Sequence, residues 1–598
     1  VRDRHESPED ETMDVAPRSP ATLHPAAVRV TAGACLFAVV LGFYVASGGG
    51  PRGTAADPPA GAKDPPQEPS IGGIRLFATW PPEQKPDAAI ILSAESFGFL
   101  QPCGCSRPQK GGLERREQFI LSLKAKGWPV AGVDLGDIYP ETAPVQDQAL
   151  LKYKTIMKSL NKMGYIATGL GRDEFKVGVD RILAEYALQK SDPPILLAGN
   201  VQGRLNGKPQ ARQQRFQPPG VPRPLIDVSE IAGVGKVSVA VVGVIGKSLQ
   251  TELEAANFDS SIGFEPNTRN FLKQVVADLI ASPKKPELNI LLFQGTAEEA
   301  KLLAKDWPQF QVILCKSDDS EPPQFPTTVT SPTGQKTLVI QLGHKGRYVG
   351  VLGVFKKSEG GIDLHYQLVP LGEEYVTPGT EAQAMKDNPI LPLLESYARE
   401  VRDSNFAEKM PRLPHPSQIL KPALNLSYIG SAKCQGCHAA ESVKWSGTHH
   451  ANAFNSLEKV AKRPSNRQFD GECIVCHTVG FGYKTGYEDQ KKTPQLLNVG
   501  CENCHGPGSG HAANPKDKEL LALQSPWKQK PGDKLPDTTF MKRMGALNAI
   551  ERGQQNIPPQ TQLLINKTSE MCMRCHNHEN DPHFDLFTYW PKINHTPP

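Results

Sequence analysis

Four times in its last third the sequence spells Cys-x-x-Cys-His: Cys434-Gln-Gly-Cys437-His438, Cys473-Ile-Val-Cys476-His477, Cys501-Glu-Asn-Cys504-His505 and Cys572-Met-Arg-Cys575-His576. Two thiols one helical turn apart can add to the two vinyl groups of a porphyrin, and the next residue then sets an imidazole over the iron. Zinc also uses paired Cys-x-x-Cys knuckles, but it does not need a histidine directly after every second cysteine. Here all four have one. The spacing therefore predicts four covalently bound haem c, with His438, His477, His505 and His576 as the proximal ligands. Of the twelve cysteines, Cys35, Cys103, Cys105 and Cys315 fall outside these motifs.

Haem attachment of this kind takes place outside the bacterial cytoplasmic membrane, so the chain is expected to cross it. Residues 30–46 are seventeen in a row without a charge. As a helix they would reach about 25 Å, at the short end of a membrane span. Arg29 before the run and few basic residues just after it favour a single pass with the N-terminus inside. The bulk of the chain would then lie in the periplasm or an equivalent extracytoplasmic space. The competing reading is a cleaved signal peptide, with Val45-Ala46-Ser47 as a small-residue cleavage site. A long, partly acidic head at 1–29 favours an uncleaved anchor. Cys35 opens the apolar run instead of closing it and reads as a membrane-facing thiol. Residues 47–75 are rich in Gly, Pro and Ala and predict an extended linker.

A chain of 598 residues is too long for one core. Its net charge of +4 gives no global field that would favour nucleic acid as a partner. Over 76–378 short apolar, β-branched runs alternate with helical patterns. Strands are predicted at 88–92, 130–134, 195–197, 237–244, 289–293, 311–314, 337–341 and 348–355. Helices are predicted at 115–126, 148–163, 181–190 and 267–281. This pattern indicates a layered α/β domain.

The stretch 92–116, LSAESFGFLQPCGCSRPQKGGLERR, resembles the opening of the calcineurin-like metallophosphoesterases of the 5′-nucleotidase type. Asp134-Leu-Gly-Asp137 resembles their second motif, and Gly171-Arg-Asp-Glu-Phe175 stands where Gly-Asn-His-Glu-Phe is expected. The resemblance implies a four-layered α/β/β/α sandwich. It also implies a two-metal site, and there the ligands depart from the family: Glu95 and Phe97 replace the first Asp and His, and Arg172 and Asp173 replace Asn-His. Gln294 stands for a strand-end histidine, and Cys315-Lys-Ser-Asp-Asp319 for the late His-x-His loop. Only Asp137 stays in place, so a fold without the phosphoesterase chemistry is expected. The resemblance also brings Cys103, Cys105 and Cys315 close together over the former metal site, where a disulfide from Cys315 is expected; the competing reading is a turn that holds Cys103 and Cys105 and a buried strand end at Cys315.

Residues 379–427 predict an amphipathic helix, with apolar positions at 390, 391, 394, 397, 398, 401 and 406, and then a Pro-rich connector. Residues 428–598 have few long apolar runs, as expected of a mainly α/loop multihaem cytochrome c domain. Trp445-Ser-Gly-Thr-His449-His450-Ala-Asn-Ala-Phe454, His511 after Gly506-Pro-Gly-Ser-Gly, and Tyr589-Trp-Pro-Lys-Ile-Asn-His595 resemble the cytochrome c-554 family. These are tetrahaem electron carriers known from nitrifying bacteria. The resemblance implies distal ligands at His450, His511 and His595 and one five-coordinate haem, usually the second. His449 points away from its neighbour's direction, His578 is too near His576 to reach its far side, and His415 and His583 stay open. The expected function is electron transfer between unidentified redox proteins. An alternative is an oxidoreductase acting on a small nitrogen or sulfur species at the five-coordinate haem.

Overall fold

Alternation along the first strand sets the layering of the central domain. In β1 (Ala88–Ser93) Ala88, Ile90 and Leu92 pack into one hydrophobic cluster, while Ile91 packs into another. A strand whose successive side chains point to opposite faces is here buried on both sides. The same division holds in β7 (Val237–Ile245), where Val239 and Val241 join the cluster of Ile90, and Ala240 and Val242 join a third.

The structure is a computed structural model that describes residues 70–71, 74–82, 84–102, 109–140, 145–184, 194–205, 208–210, 225–256, 259, 261–460, 465–530, 532–577, 580–581 and 583–595. The predicted span at 30–46, most of the linker, Cys35, Cys103, Cys105 and His578 lie outside the described residues. Among the described residues no helix is long and apolar enough to cross a membrane.

Two sheets face each other. The first runs in the order β13-β12-β1-β2-β3-β4-β5. Its strands are β2 (Val130–Asp134), β3 (Tyr165–Gly169), β4 (Ile195–Leu197), β5 (Ile226–Asp227), β12 (Tyr348–Lys356) and β13 (Ile362–Pro370), with β1. From β1 to β5 neighbours are parallel; β12 and β13 close the edge antiparallel. The second sheet runs β6-β7-β8-β9-β11-β10, built from β6 (Ser229–Val234), β7, β8 (Leu288–Gln294), β9 (Val312–Cys315), β10 (Thr327–Thr330) and β11 (Lys336–Ile340).

Helices cover both outer faces. α1 (Leu113–Ala125) and α2 (Gln146–Met163) pack on the first sheet through Phe119, Ile120, Ile156 and Leu160. α4 (Thr268–Ala281) and α5 (Ala297–Asp306) pack on the second through Leu272, Val276 and Ala300. A short α3 (Arg172–Val177) follows β3. The expected α/β/β/α order is present; of the predicted helix at 181–190 the described part, up to residue 184, is helical, and residues 185–193 lie outside those described.

One boundary differs from the sequence reading. The helix assigned to the connector, α6 (Leu391–Ser404), belongs to the central core: Leu391, Leu394, Tyr397 and Val401 bury against the layer of α1 and α2. Its amphipathic stripe needs a partner, and that layer is the nearest apolar face. Asn405 ends it in the left-handed conformation with φ 46°, a conformation that Asn tolerates. The region that follows is mostly short helices and loops, with two small apolar clusters around Ile474 and around Met541. Residues 68–598 form one compact unit.

Candidate haem sites and the neighbouring acidic pocket

Each Cys-x-x-Cys-His sits on a helical turn. In the first and fourth motifs the His438 and His576 N–H groups donate to the carbonyls of Cys434 and Cys572, both at 3.0 Å. The second lies in α7 (Gly471–His477), whose N-cap is Asp470, and the third in α8 (Cys501–His505). The thiols of different motifs adjoin: Cys434 meets Cys501, Cys476 meets Cys575, and Cys504 lies beside Cys572.

Three motif histidines face a second imidazole. Ring centroids are 6.2 Å apart for His438 and His511, 6.2 Å for His450 and His576, and 6.1 Å for His505 and His595. Two imidazoles on opposite faces of one metal, each at about 2.0–2.1 Å, put their centroids about 6 Å apart. The residues present therefore fit a haem iron in each gap. Ring orientation is fixed from behind. His505 Nδ1 lies 2.7 Å from the Gln524 carbonyl, His576 Nδ1 2.8 Å from Asp581 Oδ2, and His595 Nδ1 3.1 Å from the Ile593 carbonyl. Such partners leave Nε2 for a metal. His511 Nδ1 is buried without a hydrogen-bond partner.

His477 has its Nδ1 2.6 Å from the Ala453 carbonyl, yet among the described residues no other imidazole faces it at this spacing. At four of these positions burial favours the neutral ring, the form that can ligate a metal. It lowers the pKa of His477, His505 and His511, and with His576, His449 and His477 nearby it brings His450 down to about 4.

The remaining histidines divide clearly. His449 and His583 are exposed. His415 is capped on Ser417 by its own Nδ1 at 2.8 Å and packs edge-on against Tyr428 and Tyr483, facing no motif histidine. His450 is held by Trp445 and Val499: the indole N–H donates to the Val499 carbonyl at 2.9 Å, and Val499 N–H donates to the His450 carbonyl at 3.1 Å. Sequence reasoning missed Asp581, five residues after His576, whose carboxylate position gave the only hint. It also missed Glu502, inside the third motif. The buried Glu502 carboxylate accepts from Ile429 N–H (3.0 and 3.1 Å), Gly430 N–H (2.7 Å) and Gly508 N–H (2.7 Å).

In the central domain the residues at the strand ends do converge. Glu95, Phe97 and Asp137 all have positive φ, 47°, 44° and 55°, a strained state for residues other than glycine. Asp137 Oδ1 accepts from Asp173 N–H at 3.0 Å, and its Oδ2 lies 3.3 Å from the Lys316 ammonium. A Cβ at Gly171 would collide with the Asp137 carboxyl, so this close approach requires glycine. Glu95 accepts from Ser317 N–H at 2.8 Å and lies 3.9 Å from His344, whose ring meets Phe97 edge-on at 5.3 Å. Gln294 turns its amide onto the Leu135 carbonyl at 2.8 Å. Burial, reinforced by Asp137, raises the Glu95 pKa to about 7. Thus a lysine ammonium lies against Asp137, and the His344 imidazole lies beside Glu95. Among the described residues no group of three or more His, Cys, Asp or Glu is arranged to hold a metal ion. Cys315 is buried, its thiol pushed up to about 12 mainly by that burial; its expected disulfide partners lie outside the described residues.

Residues 433–506 match the family described as cytochrome c554 and c-prime. Cytochrome c-554 of Nitrosomonas europaea is 38% identical over 96 aligned positions, which are 14% of this chain and 41% of that protein. The chain thus spans less than half the length of this curated relative. The crystal structure of that organism's reduced cytochrome c554 is similar over 25% of this chain and 65% of its own, at 30% identity and a TM-score of 0.16. The central region is similar to a 5′-nucleotidase precursor from Thermus thermophilus, at 18% identity and a TM-score of 0.41, over 55% of this chain and 60% of that one.

Proposed function

We propose that this chain is a tetrahaem c-type cytochrome that carries electrons between redox proteins, tethered to the outer side of the cytoplasmic membrane by residues 30–46. The observation that carries the reading is the set of three facing imidazole pairs, each of which includes a histidine picked out by the Cys-x-x-Cys-His spacing. Haem, when bound, supplies one-electron chemistry at iron, with a potential set by ligands, burial and hydrogen bonds. The chain's residues do the rest. His438 with His511, His450 with His576, and His505 with His595 would hold three haem irons, two imidazoles to each, which suits them to electron transfer. The Gln524 and Ile593 carbonyls and Asp581 hold the rings in line. The adjoining attachment thiols of the first and third, second and fourth, and third and fourth motifs would keep neighbouring porphyrin edges close.

His477 favours a second reading for one site. With no facing imidazole among the described residues, its iron would keep an open side, where a small nitrogen or sulfur species could bind.

The test is spectroscopic. Pyridine haemochrome and intact mass should give four covalent haems, and electron paramagnetic resonance should show one high-spin and three low-spin centres. His450→Ala should add a second high-spin centre, while His449→Ala should leave the spectrum unchanged. Three or fewer haems, or stoichiometric zinc, would sink the proposal.

The central pocket is expected to lack phosphoesterase activity. Added manganese or zinc should give no hydrolysis of nucleotides or aryl phosphates; turnover lost on Asp137→Ala would overturn this.

A further inference from the structure

The central domain touches the cytochrome region at the second motif, through a buried polar cluster. Lys152, on α2, is buried and forms an ion pair with Glu472, the residue directly before Cys473. Beside it Gln148 Nε2 donates to Asp470 Oδ1 at 2.6 Å and to the Tyr397 hydroxyl at 2.9 Å. The Tyr397 hydroxyl donates to Asp470 Oδ2 at 3.0 Å. Asp470 in turn caps α7, which carries Cys473, Cys476 and His477. Side chains of α2 and α6 therefore reach the first turn of the helix that bears the motif without a facing imidazole.

A mere domain contact would not need a lysine at a buried position. Burying an ammonium is costly unless a partner compensates it, and a packed apolar pair would hold two domains as well. What the ion pair supplies is a fixed cation and a fixed anion next to one attachment cysteine, in surroundings that screen charge poorly.

We propose that Lys152 is a positioning residue that raises the reduction potential of the haem attached at Cys473 and Cys476, with Glu472 opposing it. Reduction adds one electron to that iron, so a neighbouring cation favours the ferrous state and a neighbouring anion disfavours it. The inference rests on the tetrahaem reading above. It gives the central domain a role of its own in the redox chemistry of the chain.

The experiment uses the full haem-loaded chain, titrated between dithionite and ferricyanide and followed by the high-spin resonance and by the optical spectrum. Lys152→Met should lower one midpoint by about 59 mV or more, a tenfold change in the ferric-to-ferrous ratio for a one-electron couple. Glu472→Gln should raise the same midpoint, the double variant should return near the parent value, and Lys152→Arg should keep it. A purely structural contact would shift both single variants the same way, or shift none, and either result overturns the inference. Intact mass on the same samples separates the two levels: a missing haem on Cys473 and Cys476 overturns the underlying reading, whereas four haems without opposite shifts overturn only this one.

Discussion

Glu502→Ala is expected to destabilise the C-terminal region by about 3–9 kcal/mol, since it strands three largely buried N–H donors at about 1–3 kcal/mol each. The donors are those of Ile429, Gly430 and Gly508. They belong to two separate stretches, the lead into Cys434 and the loop between the third motif and His511. A single carboxylate inside one motif thus ties the first motif to its facing histidine. Loss of the tie should also misalign His438 and His511, so a low-spin signal should fall along with stability. Urea unfolding of the haem-loaded chain, followed by Soret absorption, measures the first effect and electron paramagnetic resonance the second. Glu502→Gln keeps one acceptor oxygen but turns an N–H towards the donors, and an intermediate loss is expected. A cost below about 1 kcal/mol for Ala would mean that water replaces the carboxylate, and Glu502 would then not be the tie between the two stretches.

The second large effect depends on pH. The Glu95 carboxyl is raised from 4.5 to about 7, first by burial and then by Asp137, against the lowering effects of His344, Lys316 and the Ser317 N–H. The folded protein therefore binds this proton more tightly than the unfolded chain. The contribution is complete below about pH 4.5 and is lost as pH rises through about 7. A shift from 4.5 to about 7 corresponds to about 3 kcal/mol in favour of the acid side. Unfolding free energies at pH 5 and pH 8, compared between the parent and Glu95→Gln, isolate the group. The parent should lose more stability on the way to pH 8 than the variant does. Lys316→Met should move the transition to still higher pH, because it removes a cation that favours the ionised carboxylate. Equal pH profiles for parent and Glu95→Gln would show that Glu95 is solvated.

The layers were legible because the physics that makes them is local. Ala88, Ile90 and Leu92 on one face and Ile91 on the other follow from strand alternation, and the apolar stripe of α6 follows from its helical period. His450 was preferred over His449 through the residues around it, and it is the His450 ring that lies 6.2 Å from His576. What the sequence did not carry was the partner of each imidazole. By chain distance His450 lies next to His438, yet it faces His576; His511 lies next to His505, yet it faces His438. These pairings depend on the path of the loops, held by Trp445 on Val499 and by Glu502 across Gly430 and Gly508, and no residue spacing encodes such a path. Lys152 was invisible for a similar reason. On α2 it reads as one more lysine of an amphipathic helix, and only its tertiary partner makes it unusual.

The way α2 and α6 grip the start of α7 bears on cooperativity. The cytochrome segment looks like a detachable module by sequence, but its second motif is capped by Asp470, which is itself satisfied by Gln148 and Tyr397 of the central domain. Cut away at the connector, it would leave Asp470 and Glu472 facing water without these partners, and Lys152 and the Tyr397 hydroxyl would be stranded on the other side. Local openings follow such shared contacts more than they follow domain names. The amides of α7 should therefore exchange with solvent in step with those of α2 and α6, as one foldon, and more slowly than those of the fourth motif.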